Sequence, residues 1–188
     1  GRWTSGPWRA NSTWFYTTTT NEILFVQGTP DNPFIFQNQN FDTRRSGLES
    51  SLRVETDRWR SSAAYAYVHA EFDKGQFAGN LFPGTPAHTA DLTVGFSPIR
   101  SLWIDLDWQI VEHYLRINDL ANLFPMEGHN VLNLIISYDW PSTLRPGGVK
   151  GRAYLKFQNL AGQRYSAFAS SNGSILETGA GENPMPLF

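Results

Sequence analysis

Between residues 101 and 114 the chain reads SLWIDLDWQIVEHY, and its polarity alternates with a period of two. Leu102, Ile104, Leu106, Trp108 and Ile110 share one parity, while Asp105, Asp107 and Gln109 share the other. Successive side chains of a strand point to opposite faces, so the segment reads as a β-strand with one apolar and one polar face. Two environments accept such a strand. In a soluble sandwich the apolar row enters a core. In an outer-membrane barrel it meets lipid, and the carboxylates face a watery lumen.

The alternation recurs, and the chain reads as seven strands with no helix. The first spans about Trp8 to Val26, dense in Thr and aromatics as strands prefer. GTPDNP breaks it, and the second runs from about Phe34 to Thr56, with Leu52 and Val54 opposing Arg53 and Glu55. The third is WRSSAAYAYVHAEF, and the fourth, HTADLTVGFS, sets Leu92, Val94 and Phe96 against Asp91, Thr93 and Gly95. The fifth runs from Leu102 as far as Ile117. The sixth, HNVLNLIISYDW, carries Leu132, Leu134, Ile136, Tyr138 and Trp140 on one parity. In the seventh, Ala153, Leu155 and Phe157 oppose Arg152, Tyr154 and Lys156. The Gly-, Ser- and Pro-rich tail from Ser166 to Phe188 reads as loop.

Strand length, connections and aromatics favour the barrel. Soluble strands usually hold about five or six residues, whereas a run from Leu102 to Ile117 would span about 50 Å. The strictly apolar row from Leu102 to Ile110 covers nine residues, within the ~9–11 that a tilted strand needs to cross hydrocarbon. Glu112 keeps the apolar parity but falls beyond that span. Turns after strands two, four and six are compact (PSTLRPGGV follows the sixth), and loops after three, five and seven are long, the asymmetry of outer-membrane barrels. Trp59 and Trp140 stand at the short-turn ends and Tyr114 near a long-loop end, where interfacial aromatics belong. Seven Trp and 14% aromatics supply such girdles.

Other classes are excluded or weakened. No apolar run approaches the ~18 residues of a spanning helix. The chain starts at Gly1 with no n-region and h-region pattern, so no signal peptide is expected. Net charge is −2, and Arg44-Arg45 is too small a basic footprint for nucleic acid. Without cysteine there is neither a disulfide nor a thiolate metal site. His69, His88, His113 and His129 lack metal-ligand spacing, and no HExxH occurs, so no metal and no cofactor is expected. Asp105 and Asp107 resemble an acid/base pair, but their even spacing with Gln109 reads as one polar face. No catalysis is expected. Polar-parity residues Arg53, Glu55, Asp91, Asp105, Asp107, Gln109, Arg152 and Lys156 are expected to line a lumen. Phe77, Phe82, Phe124 and Phe168 in the long loops, with His88 and His129 at the rim, are the candidate ligand contacts.

Six stretches carry a resemblance: FYTTTTNEILF, RRSGLESSLRVET, AAYAYVHAEFDKG, PGTPAHTADLTVGF, HNVLNLIISYDW and LKFQNLAGQRYS. In order and spacing they resemble the C-terminal barrel of TonB-dependent outer-membrane receptors, with Asn159-Leu160 and Tyr165 similar to the family's element near the last loop. The resemblance covers nearly all of residues 1–188, taken as a single partial domain. It implies an all-β, antiparallel transmembrane barrel segment of about 22 strands in the whole, here strands fifteen to twenty-one. It further implies the outer membrane of a Gram-negative bacterium, contact with its lipid, and uptake of a ligand such as a ferric siderophore. Energy would come through TonB, ExbB and ExbD. The family's plug and TonB-contacting box are not in this stretch, and Pro184 and Pro186 prevent ENPMPLF from being the terminal strand. The chain is therefore expected to be a fragment with two open edges, which alone would aggregate or stay unfolded. A passive porin-like barrel and a soluble secreted β-sandwich binding module remain the alternatives.

Overall fold

The structure, a computed structural model, describes residues 1–29, 32–140 and 151–166. Its elements are β1 (Arg2–Ser5), β2 (Trp8–Thr29), β3 (Asn32–Glu55), β4 (Trp59–Phe72), β5 (His88–Ile99), β6 (Leu102–Val111), β7 (Tyr114–Leu115), β8 (Pro125–Met126), β9 (His129–Trp140) and β10 (Gly151–Phe157). Eight of them form one sheet in the order β1-β2-β3-β4-β5-β6-β9-β10, while β7 and β8 make a separate hairpin. Every pairing is antiparallel, so the sheet is a meander. No helix among the described residues is long and apolar enough to cross a membrane, which leaves strand crossings open.

The register collects the residues of one parity onto one face. Arg53 pairs with Ser62, Ser62 with Thr93, Thr93 with Asp107, and Asp107 with Asn133. One residue along, Leu52 pairs with Ala63, Ala63 with Leu92, Leu92 with Trp108, and Trp108 with Leu132. Burial is then the reverse of a soluble domain. Thr43, Ser97, Asp105, Asn133 and Ser137 are buried on the polar face, whereas Trp8, Trp14, Leu52, Trp59, Val94, Ile104, Leu106 and Trp108 are exposed on the apolar one. Asp105 is 4% exposed and its neighbour Leu106 45%. Soluble proteins rarely expose a contiguous apolar face of this extent. The asymmetry is that of a sheet curled toward its polar side.

The exposed face is banded. Trp8 and Trp59 sit at the short-turn end, and Tyr16 and Tyr67 stand eight residues along the same strands. At ~3.3 Å per residue that is about 26 Å along a tilted strand, the scale of an outer-membrane apolar band. Past it, the apolar parity turns ionisable: Arg44, His69, Glu71, His88 and Glu112. Gly151 lets the Trp140 ring lie against the backbone, since a Cβ there would come within 2.3 Å of that ring.

Several boundaries differ from the expectation. The short strand β1 adds an eighth member, joined to β2 through Gly6 at φ +54. Its four residues carry too little alternation to mark a strand in the sequence. GTPDNP does not end the first ladder at Val26. The β2–β3 pairing continues to Thr29 and Asn32, past a bulge between Thr19 and Glu22. The fifth strand stops at Val111 instead of running to Ile117, and residues 112–128 fold as a loop containing β7 and β8. Gly128 makes that departure possible, because any Cβ would sit 2.6 Å from the Val111 carbonyl. Tyr114 is buried in this loop and donates to the Ser166 carbonyl at 3.4 Å, so Tyr65 and Tyr67 hold the upper aromatic position instead. PSTLRPGGV and the tail beyond Ser166 lie outside the described residues.

Candidate ligand mouth and polar face

The eight residues expected to share a face do share one. Arg53 and Glu55 on β3, Asp91 on β5, Asp105, Asp107 and Gln109 on β6, and Arg152 and Lys156 on β10 all fall on the polar side of the register. Their charges are organised across strands. Arg60 donates through Nε to Asp105 Oδ1 at 2.6 Å and through a second nitrogen to Oδ2, while its guanidinium lies 4.2 Å from the Trp103 ring centre. This bridge passes over β5 where Gly95 stands, since a Cβ there would be 2.2 Å from Asp105 Oδ1. Asp107 instead accepts from Thr93 at 3.3 Å and from Asn133 at 3.1 Å. Asp105 and Asp107 thus have separate partners and share no proton as a catalytic dyad would. Arg152 binds Asp139, and Arg53 binds Glu55 at 3.0 Å. Glu49 and Asp91 flank a recess of about 320 Å³ floored by Ala64 and Ala66.

At the long-loop end the polar face carries an aromatic cluster. Phe72, fully buried, packs against Phe41 at 5.2 Å, Phe82 at 5.6 Å and Phe77 at 6.0 Å between ring centres. Arg45 covers Phe82 with its guanidinium 4.4 Å from the ring centre and holds both oxygens of Glu22 at 2.8 Å. Phe77 and Phe82 therefore anchor the 73–87 loop to the wall. Replacing Phe82 by Ala is expected to release that loop, read as faster limited proteolysis within residues 73–87 and no change at β6. Unchanged cleavage would mean that the backbone bonds of the loop suffice.

The remaining candidates separate. Phe124 lies in the 112–128 loop under Arg116, 5.5 Å from its ring centre. His129 is on the polar face, stacked on Tyr165 at 4.3 Å and 12°, and its Nδ1 has no hydrogen-bond partner. His88 pairs with Tyr67 on the opposite, apolar face, where Tyr65 bonds its Nδ1 at 2.6 Å. Its side chain therefore lies on the face opposite the Phe72 cluster. Phe168 lies outside the described residues. Among the described residues no cluster of His, Cys, Asp and Glu could hold a metal ion.

A family model described as TonB dependent receptor-like, beta-barrel, matches residues 1–160. The chain belongs to the TonB-dependent receptor family. No curated protein sequence matches it. Among solved structures, the receptor segment resembles the ferric citrate transporter FecA in its unliganded form, with TM-score 0.70 and 23% identity over 91% of this chain and 27% of that one. It resembles the ferric yersiniabactin uptake receptor FyuA from Yersinia pestis with TM-score 0.70 and 18% identity, covering 92% of this chain and 25% of that one. The siderophore receptor PiuA from Acinetobacter baumannii gives TM-score 0.66 and 20% identity over 88% and 23%. The chain spans about a quarter of the length of these proteins. Their likeness establishes the fold, an antiparallel wall segment of a receptor barrel.

Within the receptor segment, Glu22, Thr43 and Arg45 are the site residues that sequence reasoning missed. The signal was the Arg44-Arg45 doublet, which alternation splits: Arg44 turns outward to Glu71 and Arg45 inward to Glu22. Arg45 is the main cause of the lowered Glu22 pKa, with Thr43 adding to it against the opposing effect of burial. A carboxyl with a depressed folded pKa stabilises the fold above its unfolded value, near 4.3, and that contribution disappears as pH falls through the folded value. Amide exchange at Thr43 and Arg45, corrected for intrinsic rates, should therefore hold constant from pH 7 to about 5 and accelerate below about 4. Glu22→Gln should remove that step. A step that survives in the variant would assign it to another group.

Proposed function

We propose that this chain is part of the wall and mouth of an outer-membrane receptor that imports a scarce ligand such as a ferric siderophore. The observation carrying this reading is the inverted burial of the sheet, with exposed Leu106 and Trp108 on one face and buried Asp105 and Asn133 on the other. A water-filled or plugged lumen satisfies the polar face, and acyl chains satisfy the apolar one. Arg53, Glu55, Asp91, Asp105, Asp107, Gln109, Arg152 and Lys156 then line the lumen. Phe77, Phe82, Phe124 and His129 stand at or near the extracellular mouth. A hollow of about 610 Å³ on the outer face, floored by Ala10, Ser12, Ser50 and Ala63, suits an acyl chain.

Membership in the family supports energisation through TonB, with ExbB and ExbD as its inner-membrane partners, and residence in the outer membrane of a Gram-negative bacterium. The printed names of the structural neighbours, which include siderophore, ferric citrate and ferric yersiniabactin proteins, support an iron-chelate ligand. The test is uptake of ⁵⁵Fe-loaded siderophores by cells carrying the full receptor, with and without TonB. Saturable uptake lost on deleting TonB is the expected result. Uptake that persists without TonB and rises linearly with concentration would favour a passive pore.

A further inference from the structure

Two long loops rise beside each other from the sheet: residues 73–87 between β4 and β5, and residues 112–128 between β6 and β9. They are joined at four points. Asn122 Oδ1 accepts from the Leu81 N–H at 2.7 Å, and its Nδ2 donates to the Leu81 carbonyl at 3.0 Å. Asn80 Nδ2 donates to the Leu120 carbonyl at 2.8 Å, and the Gly84 N–H donates to the Leu115 carbonyl at 3.0 Å. Gly84, at φ +72, faces Ile117 so closely that an added Cβ would lie 3.2 Å from its Cγ1.

The Asn122 contact is the most specific of these. A primary amide presents one donor and one acceptor side by side, as a peptide group does. Here it completes both hydrogen bonds of Leu81, in the manner of a residue on a neighbouring strand. Asn122 occupies φ +58, a left-handed conformation that asparagine tolerates better than most residues. The turn presenting it is fixed by buried Asp119, whose two oxygens accept from Leu123 N at 3.0 Å and Phe124 N at 2.7 Å. Contacts thus run from Glu22 through Arg45 and Phe82 to Leu81, Asn122 and Asp119, ending at Phe124.

We propose that Asn122 is a positioning residue that makes the two mouth loops one rigid platform, so that Phe82 and Phe124 are held in fixed relation. Their service as ligand contacts rests on the receptor function proposed above; the coupling of the loops does not. Position 122 touches the 73–87 loop through its side chain, so its removal reports at a distance in sequence. Asn122→Gly keeps the left-handed backbone and deletes the amide. Asn122→Asp keeps the acceptor for the Leu81 N–H but sets a carboxylate oxygen against the Leu81 carbonyl.

The test is hydrogen–deuterium exchange on the full receptor in detergent micelles, without ligand, for both variants and for Asn80→Ala. Expected is at least a tenfold faster exchange at Leu81 and Gly84 in both Asn122 variants, with the β5 and β6 amides unchanged. Coupling is reciprocal, so Asn80→Ala should loosen residues 118–124 from the other side. Exchange that quickens only around residue 122 and leaves Leu81 and Gly84 protected would overturn the proposal. So would Asn80→Ala acting only on its own loop. Failure of the wild-type receptor to take up iron chelates would remove the ligand role and leave this result standing.

Discussion

Replacing Leu106 by arginine in the full receptor is expected to destabilise the barrel by about 2–4 kcal/mol, the cost of a cation on the lipid face near the midplane. Leu106 is the middle residue of the apolar row from Leu102 to Ile110, exposed on the outer face and paired with Val94 and Leu134. Within the row from Leu102 to Ile110 a guanidinium there has no carboxylate beside it, because the nearest charges on β6, Asp105 and Asp107, point to the other side. The same substitution at Gln109, three residues along and on the polar face, should change stability by less than about 0.5 kcal/mol. Equilibrium urea unfolding in phosphatidylcholine vesicles measures both. Equal effects at the two positions would contradict the assignment of faces.

Arg60→Ala is expected to be nearly as damaging, for a different reason. Asp105 has 6% of its side chain exposed, and Arg60 supplies the two hydrogen bonds that compensate its burial. Removing one partner of a buried pair strands the other charge, which typically costs ~3–5 kcal/mol. Arg60 is 30% exposed, and this solvent contact moves the expectation to about 2–3 kcal/mol. The double variant Arg60→Ala, Asp105→Ala removes the stranded charge and should recover at least half of that loss. Unfolding midpoints of the wild type, both single variants and the double variant give the coupling. Additive losses would mean the bridge contributes nothing beyond packing.

How much of this was legible in the sequence depends on the distance over which each signal acts. Alternation is local, so the two faces of β6 were readable from Leu102 to Ile110 without knowledge of any partner. The same rule applies to His88, which shares the parity of Leu92 and Val94 and pairs with Tyr67. Its placement near the rim nevertheless drew it into the ligand set. Strand ends were less legible, because Glu112 and Tyr114 continue the parity after the chain has left the ladder at Val111. What ends it there is contact, the close approach of Gly128 to the Val111 carbonyl. Pairings across strands carried no sequence signal: Arg60 and Asp105 lie 45 positions apart, and only the register brings them over Gly95. Phe77 and Phe82 were visible as loop aromatics, but their packing on Phe72 depends on a loop path that no periodicity encodes. Asn122 was invisible for the same reason.

The account depends on one assignment of faces, and one measurement tests it most directly. Nitroxide labels are placed singly at position 106 and at position 109 of the full receptor, reconstituted in phospholipid bilayers. Collision rates with dissolved oxygen and with a water-soluble nickel chelate are then read by power saturation. Higher oxygen than nickel accessibility at 106, and the reverse at 109, is the predicted result. Position 106 found accessible to nickel and shielded from oxygen would contradict the account.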